Sequence, residues 1–561
     1  MAGLWCFFDG KGRLEVIKKF KDLEHDTDSC KDVWEEFYNL VYQDFFGKYF
    51  EFSKLEDKET SNPKRWYIKL RDDINAKNDY PKFKMAGDCV FNFNNKKVSA
   101  IEKLPGWSEA TEEEKELLKK CMEHHHSFAN FAFMPITGNM QGQKGSHQMD
   151  RPDIHINAIK NYFQKNKSNE NEDEDIDQCS IFSHASKNNQ DALKWYLSLF
   201  DNDIHKYFKE VYLIDDERYI DNEFLKYIDM EIKDRATIVQ YMKLAIDFWE
   251  KRKEWIVKIM CIDVNYCYLD DALGYEFKPE EYTGNEEDYK DPDACSDRLY
   301  KDLLKVMRWH DKKDNLFSFD EYSEGKYYLN LKAKKCNYEL AFTLTSDFIG
   351  VNRKFAADVG ISLKEIGEYL KLQHTIGGHM LFPKGKGYTI NQAKGNNMLD
   401  RIDFTLAEVK EYYRHICSEN REKKYMPHFR KPLGKSIERY YEWLKIFISD
   451  KNDGEKAFKN FIDFLILNPF VTESYEVKSL VTENIINTNT TEAFFPGLDS
   501  FRSRVHINSI RKNLRNDEET RRECQKAFRN YIEKTSHAIK ERNDLIAKLQ
   551  KKMLSRWSLL N

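Results

Sequence analysis

A stretch rich in glycine and lysine, residues 377–395, carries the residue types that bind phosphate groups. Glycines let backbone amides turn toward an anion, and lysine side chains add positive charge. The sequence therefore predicts a loop that holds a phosphate-bearing ligand, a nucleotide or a nucleic acid, through Lys384, Lys386, Asn391 and Lys394. It is not a P-loop, because the Gly-x4-Gly-Lys-Ser/Thr pattern is absent from it. The alternative is that its glycines and proline only mark tight turns between a strand and a helix.

An Asp-Arg-x-Asp motif, Asp400 to Asp403, follows this loop. In one interpretation Arg401 is a forked donor to phosphate or carboxylate oxygens, is oriented by Asp400, and joins it in the ligand-binding set. In the other, Asp403 caps a helix over residues 404–413 while Asp400 and Arg401 form a buried ion pair. The sequence does not choose between the two.

Two histidines, His374 and His379, lie just before the loop. Together with Arg401 and Asp403 they are the catalytic candidates of an alternative hypothesis, a nucleic-acid- or nucleotide-directed enzyme of the phage-defence or toxin type. No metal site is predicted, because an isolated histidine near a helix end is more often a packed or capping group than a ligand. The sequence indicates no particular cofactor and names no reaction.

The C-terminal segment, residues 501–561, is locally basic, with 16 lysines and arginines against 7 acidic residues. Such a segment can contact nucleic acid or an acidic protein partner. The alternative is a solvated helical face, which is the more frequent meaning of a run of charges. The residues that would make the contact are Arg511, Lys512, Arg515, Arg521 and Arg522.

An internal repeat places these motifs in both halves of the chain. The stretch from His126 to Pro135 resembles the stretch from His374 to Pro383, at an offset of 248 residues. The motif that begins at Asp150 resembles the one that begins at Asp400, at an offset of 250 residues. Further matched pairs lie on both sides: Trp66–Leu70 with Tyr327–Leu331, the capping-box patterns Thr111–Glu114 with Ser362–Glu365, Lys144 with Lys394, and Arg252–Ile259 with Arg542–Leu549.

These patterns predict a helix-dominated α+β fold in which one unit of about 250 residues is duplicated in tandem and forms a pseudo-dimer. A charged stretch with two prolines lies between the copies and indicates a solvated linker. The predicted organisation is an N-terminal extension (1–29), a diverged first copy (30–262), an acidic linker (263–297), a second copy with basic C-terminal helices (298–553) and a tail (554–561).

The second half resembles a family of uncharacterised bacterial proteins, known only as a domain of unknown function. The resemblance is carried by His374-Thr-Ile-Gly-Gly-His, Phe382-Pro, Thr389-Ile-Asn-Gln-Ala-Lys-Gly and Asp400-Arg-Ile-Asp, and it covers roughly the last 240 residues. Because the family has no known activity, the resemblance implies no mechanism.

Composition limits the remaining functions. The 561 residues include 90 basic and 95 acidic ones, so the chain as a whole lacks the positive charge of a general nucleic-acid binder. No apolar stretch is long enough to cross a membrane, and the scattered cysteines favour a reducing compartment. The sequence thus predicts a cytoplasmic bacterial binding or regulatory protein for a phosphate-bearing ligand. The enzyme, and a structural protein acting through the basic C-terminal helices, are the alternatives.

Overall fold

The computed structural model of the protein describes seventeen segments of the chain. They are residues 37–54, 66–78, 83–125, 127–137, 150–167, 182, 185–292, 296–310, 317–323, 326–331, 334–336, 342–344, 349, 353–381, 401–418, 437–487 and 517–556. The chain divides into two units, the first being Met1–Cys261 with Lys552–Asn561 and the second Ile262–Lys551.

The first unit contains an antiparallel sheet of four strands in sequential order. They are β1 (Phe50–Lys54), β2 (Trp66–Leu70), β3 (Lys84–Cys89) and β4 (Phe131–Pro135). The last strand is buried along its whole length, which fits its continuous apolar sequence.

Helices make up most of the rest of the first unit. They are α1 (Gln43–Phe46), α2 (Asp72–Asn78), α3 (Asn95–Ile101), α4 (Glu112–His124), α5 (Pro152–Lys167), α6 (Lys187–Ser198), α7 (Ile204–Tyr207), α8 (Glu217–Tyr219) and α9 (Arg235–Met260). A 3-10 turn, Phe128–Asn130, leads into β4. Buried aromatic rings from β1, α1 and α6 pack against one another, and they form much of this core.

The second unit has two small antiparallel sheets among its described residues. One consists of β5 (Phe317–Ser323), β6 (Lys326–Leu331) and β7 (Lys334–Cys336). The other pairs β8 (Phe342–Thr343) with β9 (His379–Met380). A 3-10 turn, Ile376–Gly378, leads into β9.

The helices of the second unit end with a very long one. They are α10 (Tyr268–Leu273), α11 (Asp297–His310), α12 (Arg353–Asp358), α13 (Leu363–Gln373), α14 (Ile402–Ile416), α15 (Ile437–Lys445), α16 (Gly454–Phe464) and α17 (Glu518–Arg556). The expected helix-dominated α+β class is confirmed, as are the predicted strands β2 and β6 and the two capping boxes.

The charged segment that the sequence analysis treats as a linker packs on α13. Phe277 and Tyr282 are buried, and the Lys371 ammonium donates to the carbonyl oxygen of Phe277 at 3.3 Å. A Cβ atom on Gly367 would lie only 2.8 Å from the carbonyl oxygen of Pro279. The backbone of the charged segment therefore packs directly against the backbone of α13 at this glycine. Within the part of the chain that the structure describes, no helix is both long and apolar enough to cross a membrane.

Candidate functional site

The predicted glycine- and lysine-rich loop lies largely outside the described residues, as do Lys384, Lys386, Asn391, Lys394 and Asp400. The same is true of Arg511, Lys512 and Arg515 in the basic segment. The described residues nearest to the loop are Leu381, which is buried and follows β9, and Arg401, which is buried immediately before α14. The contacts of these flanking segments are described next.

The turn at Gly377 and Gly378 packs closely against its surroundings. A Cβ atom on Gly377 would lie 2.6 Å from the carbonyl oxygen of Ile539 on α17, and one on Gly378 would overlap the carbonyl oxygen of Gln373. A side chain at Gly377 would push the turn away from the long helix, and one at Gly378 would push it away from the end of α13. Close backbone packing thus accounts for this pair of glycines.

Arg542, on the same helix α17, also binds this turn. Its guanidinium is fully buried and donates at 2.8–3.1 Å to five carbonyl oxygens. Three of them belong to the turn and the start of β9 (Ile376, Gly377 and His379), and two follow the end of α16 (Leu465 and Ile466). One side chain therefore joins α17, α16 and the strand that precedes the predicted loop.

His374 and His379 form a buried pair. The Nδ1 atom of His379 lies 2.9 Å from the carbonyl oxygen of Thr375, which can only accept, so this nitrogen carries a proton. The Nε2 atom of His379 is then an acceptor for the Nδ1–H of His374, at 3.4 Å. These bonds leave the Nε2 of His374 as a bare acceptor, and this buried atom has no hydrogen-bond partner among the described residues. The ring of Tyr289 lies against His374, with centroids 5.5 Å apart.

Both imidazoles are neutral at physiological pH. The pKa of His379 is lowered to about 4, chiefly by burial; the bond to Thr375 opposes this shift and the nearby charge of Arg542 contributes to it. Burial also holds the pKa of His374 well below its usual value, and His379 adds to that effect. A general base works best with a pKa near the working pH, so this pair is suited to accepting a hydrogen bond rather than a proton.

This neutral pair makes stability depend on pH. Below pH 6.5 the imidazoles of the unfolded chain take up protons, whereas in the folded chain His379 does so only near pH 4. The free energy of unfolding is therefore expected to fall as the pH drops from about 6.5 toward 4, by about 1.4 kcal/mol per pH unit for each such histidine. Urea unfolding at several pH values measures this slope.

Two variants separate this effect from other titrations. His379→Phe places the residue of the first half, Phe131, in the second, and we expect a shallower slope. His537→Phe, at an exposed position on α17, should leave the slope unchanged. If His379→Phe kept the full slope, the assignment of the pH dependence to the pair would be wrong.

Arg401 and Asp403 form a second, separate pair. The Nε and Nη2 atoms of Arg401 donate to the two carboxylate oxygens of Asp403 at 3.0 and 2.6 Å, and both side chains are fully buried. Asp403 also accepts the backbone amides of Leu480 and Phe404. Because α14 begins at Ile402, Asp403 lies inside the helix and binds Arg401 rather than capping the helix start. This geometry is that of a structural ion pair.

The corresponding positions of the first unit form similar contacts. Arg151 donates through Nε and Nη2 to both carboxylate oxygens of Asp153, at 2.9 and 2.6 Å.

At the turn before β4, the Asn130 carboxamide accepts from Phe91 N and Trp249 Nε1 and donates to the carbonyl oxygens of Phe91 and His125. A carboxamide makes about four hydrogen bonds at most, so Asn130 is saturated.

Exposed charges on α17 are mixed in sign. Arg521 and Arg522 are exposed, and Arg522 pairs with Glu518 at 2.7 Å. Glu519 and Glu523 are exposed beside them. The described part of the basic segment thus carries alternating charge, which is typical of a solvated helix surface.

These features define a helix-dominated α+β protein whose candidate site lies in its second unit. The chain belongs to a family of unknown function (DUF6994), whose model matches residues 262–546. The match covers almost all of the second unit, including the charged segment packed on α13. The expectation of an uncharacterised family is confirmed. No curated protein and no solved structure matched the chain.

The sequence analysis missed the role of Arg542. It recognised the segment Arg542–Leu549 as part of the repeat but assigned no function to its first residue. The signal was one arginine on the apolar face of a long helix, next to Ile539 and Ile546. A charge at such a position must find buried acceptors, but the sequence does not indicate where they are.

Proposed function

We propose that the protein is a two-unit binding protein of the cytoplasm, and that the second unit holds a phosphate-bearing ligand such as a nucleotide. In this proposal the first unit is a diverged copy that serves as a scaffold. The observation that carries the proposal is the buried Nε2 atom of His374, which has no hydrogen-bond partner among the described residues and lies just before the predicted loop.

The first support for a duplication is the strand pairing within each unit. Phe50 pairs with Leu70 across β1 and β2, as Phe317 pairs with Leu331 across β5 and β6. The amide of Val90 donates to the carbonyl oxygen of Asn130 at 2.6 Å. That of Leu344 donates to the carbonyl oxygen of Gly378 at the same distance. Asn130 and Gly378 are related by the offset of 248 residues found in the sequence.

The second support is an arginine that comes from the long helix of each unit. Arg252 donates to the carbonyl oxygen of Phe128, and Arg542 to that of Ile376, which again differ by 248 residues. Each arginine also bonds a carbonyl that precedes a left-handed residue, Leu213 with φ 57° in the first unit and Ile466 with φ 54° in the second. Such specific contacts are expected of copies of one ancestral unit.

The open acceptor favours the second unit as the binding half. In the first unit the Asn130 carboxamide makes hydrogen bonds within the core at the turn before β4, whereas the matching residue of the second unit, Gly378, has no side chain. There the bare Nε2 of His374 stays buried, a few residues before the predicted loop. A buried acceptor without a partner is unfavourable, so a nucleotide gains binding free energy if a ribose hydroxyl or a base N–H donates to it, while its phosphate oxygens accept from the loop lysines.

The depressed pKa values favour binding over acid–base catalysis. Neutral imidazoles with pKa values this low are weak proton acceptors at pH 7. Arg401 and Asp403 are engaged with each other, which leaves the predicted loop lysines as the natural partners of phosphate.

Thermal unfolding in the presence of ATP, GTP and inorganic tripolyphosphate tests this function. We expect at least one of these probes to raise the midpoint for the wild-type chain, because a ligand that binds only the folded state stabilises it. Lys394→Ala, or the triple change Lys384→Ala, Lys386→Ala and Lys394→Ala, should abolish the shift. Lys144→Ala, at the matching position of the first copy, is the control and should retain it.

The same experiment has clear contrary outcomes. No stabilisation of the wild-type chain by any of the three probes would count against a phosphate-binding role. An equal loss of the shift in Lys144→Ala and Lys394→Ala would contradict the assignment of the site to the second unit.

A further inference from the structure

The core of the first unit holds a buried positive charge without a buried negative partner. Arg252 is fully buried on α9. Its guanidinium donates to the carbonyl oxygens of Tyr212 and Phe128, both at 2.7 Å, and to the hydroxyl of Tyr42 at 2.8 Å. All three acceptors are neutral, so no carboxylate in the described structure bonds to this arginine.

Arg542 of the second unit shows what a purely structural arginine needs in this setting. It donates to five carbonyl oxygens, whereas Arg252 donates to three acceptors. A guanidinium has five N–H groups, and an unsatisfied buried one is strongly unfavourable. The three acceptors use three of the five N–H groups of Arg252, so this guanidinium retains donor capacity.

Four fully buried tyrosines lie in the core that holds Arg252, and one of them, Tyr42, accepts from its guanidinium. Tyr42, Tyr196, Tyr207 and Tyr212 are fully buried, and ring centroids of Tyr207 lie 6.5 Å from Tyr196 and 6.2 Å from Tyr212. The Tyr42 hydroxyl donates to the carbonyl oxygen of Val211. The hydroxyls of Tyr196, Tyr207 and Tyr212 have no hydrogen-bond partner of normal geometry among the described residues.

These three hydroxyls are neutral donors. Burial is the main cause that raises the pKa of Tyr196, Tyr207 and Tyr212. Neighbouring tyrosines add to the shift, except that the contact with the Tyr196 hydroxyl opposes it at Tyr207. Arg252 and Tyr42 both act electrostatically on Tyr212, as does the carboxylate of Asp88. The Tyr212 hydroxyl thus lies near enough to the guanidinium and to the Tyr42 hydroxyl to interact with both.

We propose that Arg252 and the hydroxyls of Tyr196, Tyr207 and Tyr212 bind a small inorganic anion, a halide such as chloride, inside the first unit. An anion accepts several O–H and N–H donors at once and also offsets the charge of Arg252. Buried water would satisfy the hydroxyls but would leave that charge uncompensated. A monatomic ion fits a closed core better than phosphate or a nucleotide, so this site is distinct from the one proposed for the second unit.

Stability measured at constant ionic strength, with gluconate replaced by chloride, tests the site on the intact chain. At a chloride concentration ten times its Kd, the apparent folding equilibrium constant should rise about elevenfold for the wild type. The triple variant Tyr196→Phe, Tyr207→Phe and Tyr212→Phe keeps the packing and removes the donors, so it should show no such rise. The control Tyr162→Phe, a buried tyrosine on α5, should respond as the wild type does.

No response of the wild type to chloride, or an equal response of the triple variant, would overturn the proposal. If the triple variant does not fold, Tyr212→Phe alone should weaken the response. Wild-type crystals soaked in bromide give an independent answer. An anomalous peak within hydrogen-bond distance of Arg252 supports the site, and water density alone at that position overturns it.

Discussion

Arg542→Met is expected to lower the free energy of unfolding by about 4–5 kcal/mol, among the largest effects of any single substitution in the second unit. The change removes the guanidinium from five buried carbonyl oxygens, of which that of Ile376 still accepts the backbone amide of His379. Each unsatisfied buried acceptor costs about 1–3 kcal/mol, and relaxation or water entry recovers part of the total. Chemical denaturation with a probe of tryptophan fluorescence measures the loss.

Two further variants make this prediction specific to the guanidinium. Arg542→Lys keeps the charge but offers its three donors from a single nitrogen. The stability of this variant should therefore lie between that of the wild type and that of Arg542→Met. Lys540→Met, at an exposed position on the same helix, should change stability by less than about 0.5 kcal/mol. If Arg542→Met were as mild as Lys540→Met, the carbonyl contacts would not stabilise the fold as described.

Arg401→Met is the second substitution with a large expected effect. It leaves the carboxylate of Asp403 buried without its cation, and breaking a buried pair in this way costs about 3–5 kcal/mol. Removing both charges, in Arg401→Met with Asp403→Leu, should be less damaging than Arg401→Met alone. The double variant stays below the wild type because the amides of Leu480 and Phe404 lose their acceptor.

The comparison of these variants decides between the two interpretations of the Asp-Arg-x-Asp motif. A structural pair predicts the loss of stability in the absence of any nucleotide. Arg151→Met in the first unit should then behave similarly, since Arg151 and Asp153 form the same two-bond contact. If Arg401→Met folded with wild-type stability and lost only ligand binding, Arg401 would be a ligand-binding residue instead.

Local patterns in the sequence were enough to predict the fold class and several elements. The capping box at Ser362 and Glu365 and the alternation in Trp66–Leu70 depend on neighbouring residues, and both are confirmed. The packing of the charged segment around Phe277 and Tyr282 was harder to predict. Its many acidic residues are typical of a solvated linker, although these two rings are buried against α13.

Long-range contacts in the candidate site could not be predicted. Gly377 and Gly378 suggested room for an anion, yet their role in the fold depends on Gln373 and on the distant helix α17. The acceptors of Arg542 lie 76 residues or more away in the chain, and no spacing rule links them. The pairing of His374 with His379 likewise depends on a turn whose geometry is fixed by that arginine.

The number of ligand sites per intact chain distinguishes one binding copy from two. Equilibrium dialysis against labelled ATP, GTP and tripolyphosphate counts them without relying on stability. We expect one site per chain for at least one of these probes, which is lost in Lys394→Ala and kept in Lys144→Ala. Two equivalent sites, or no saturable binding of any of the three, would contradict a protein in which one copy binds and the other serves as its scaffold.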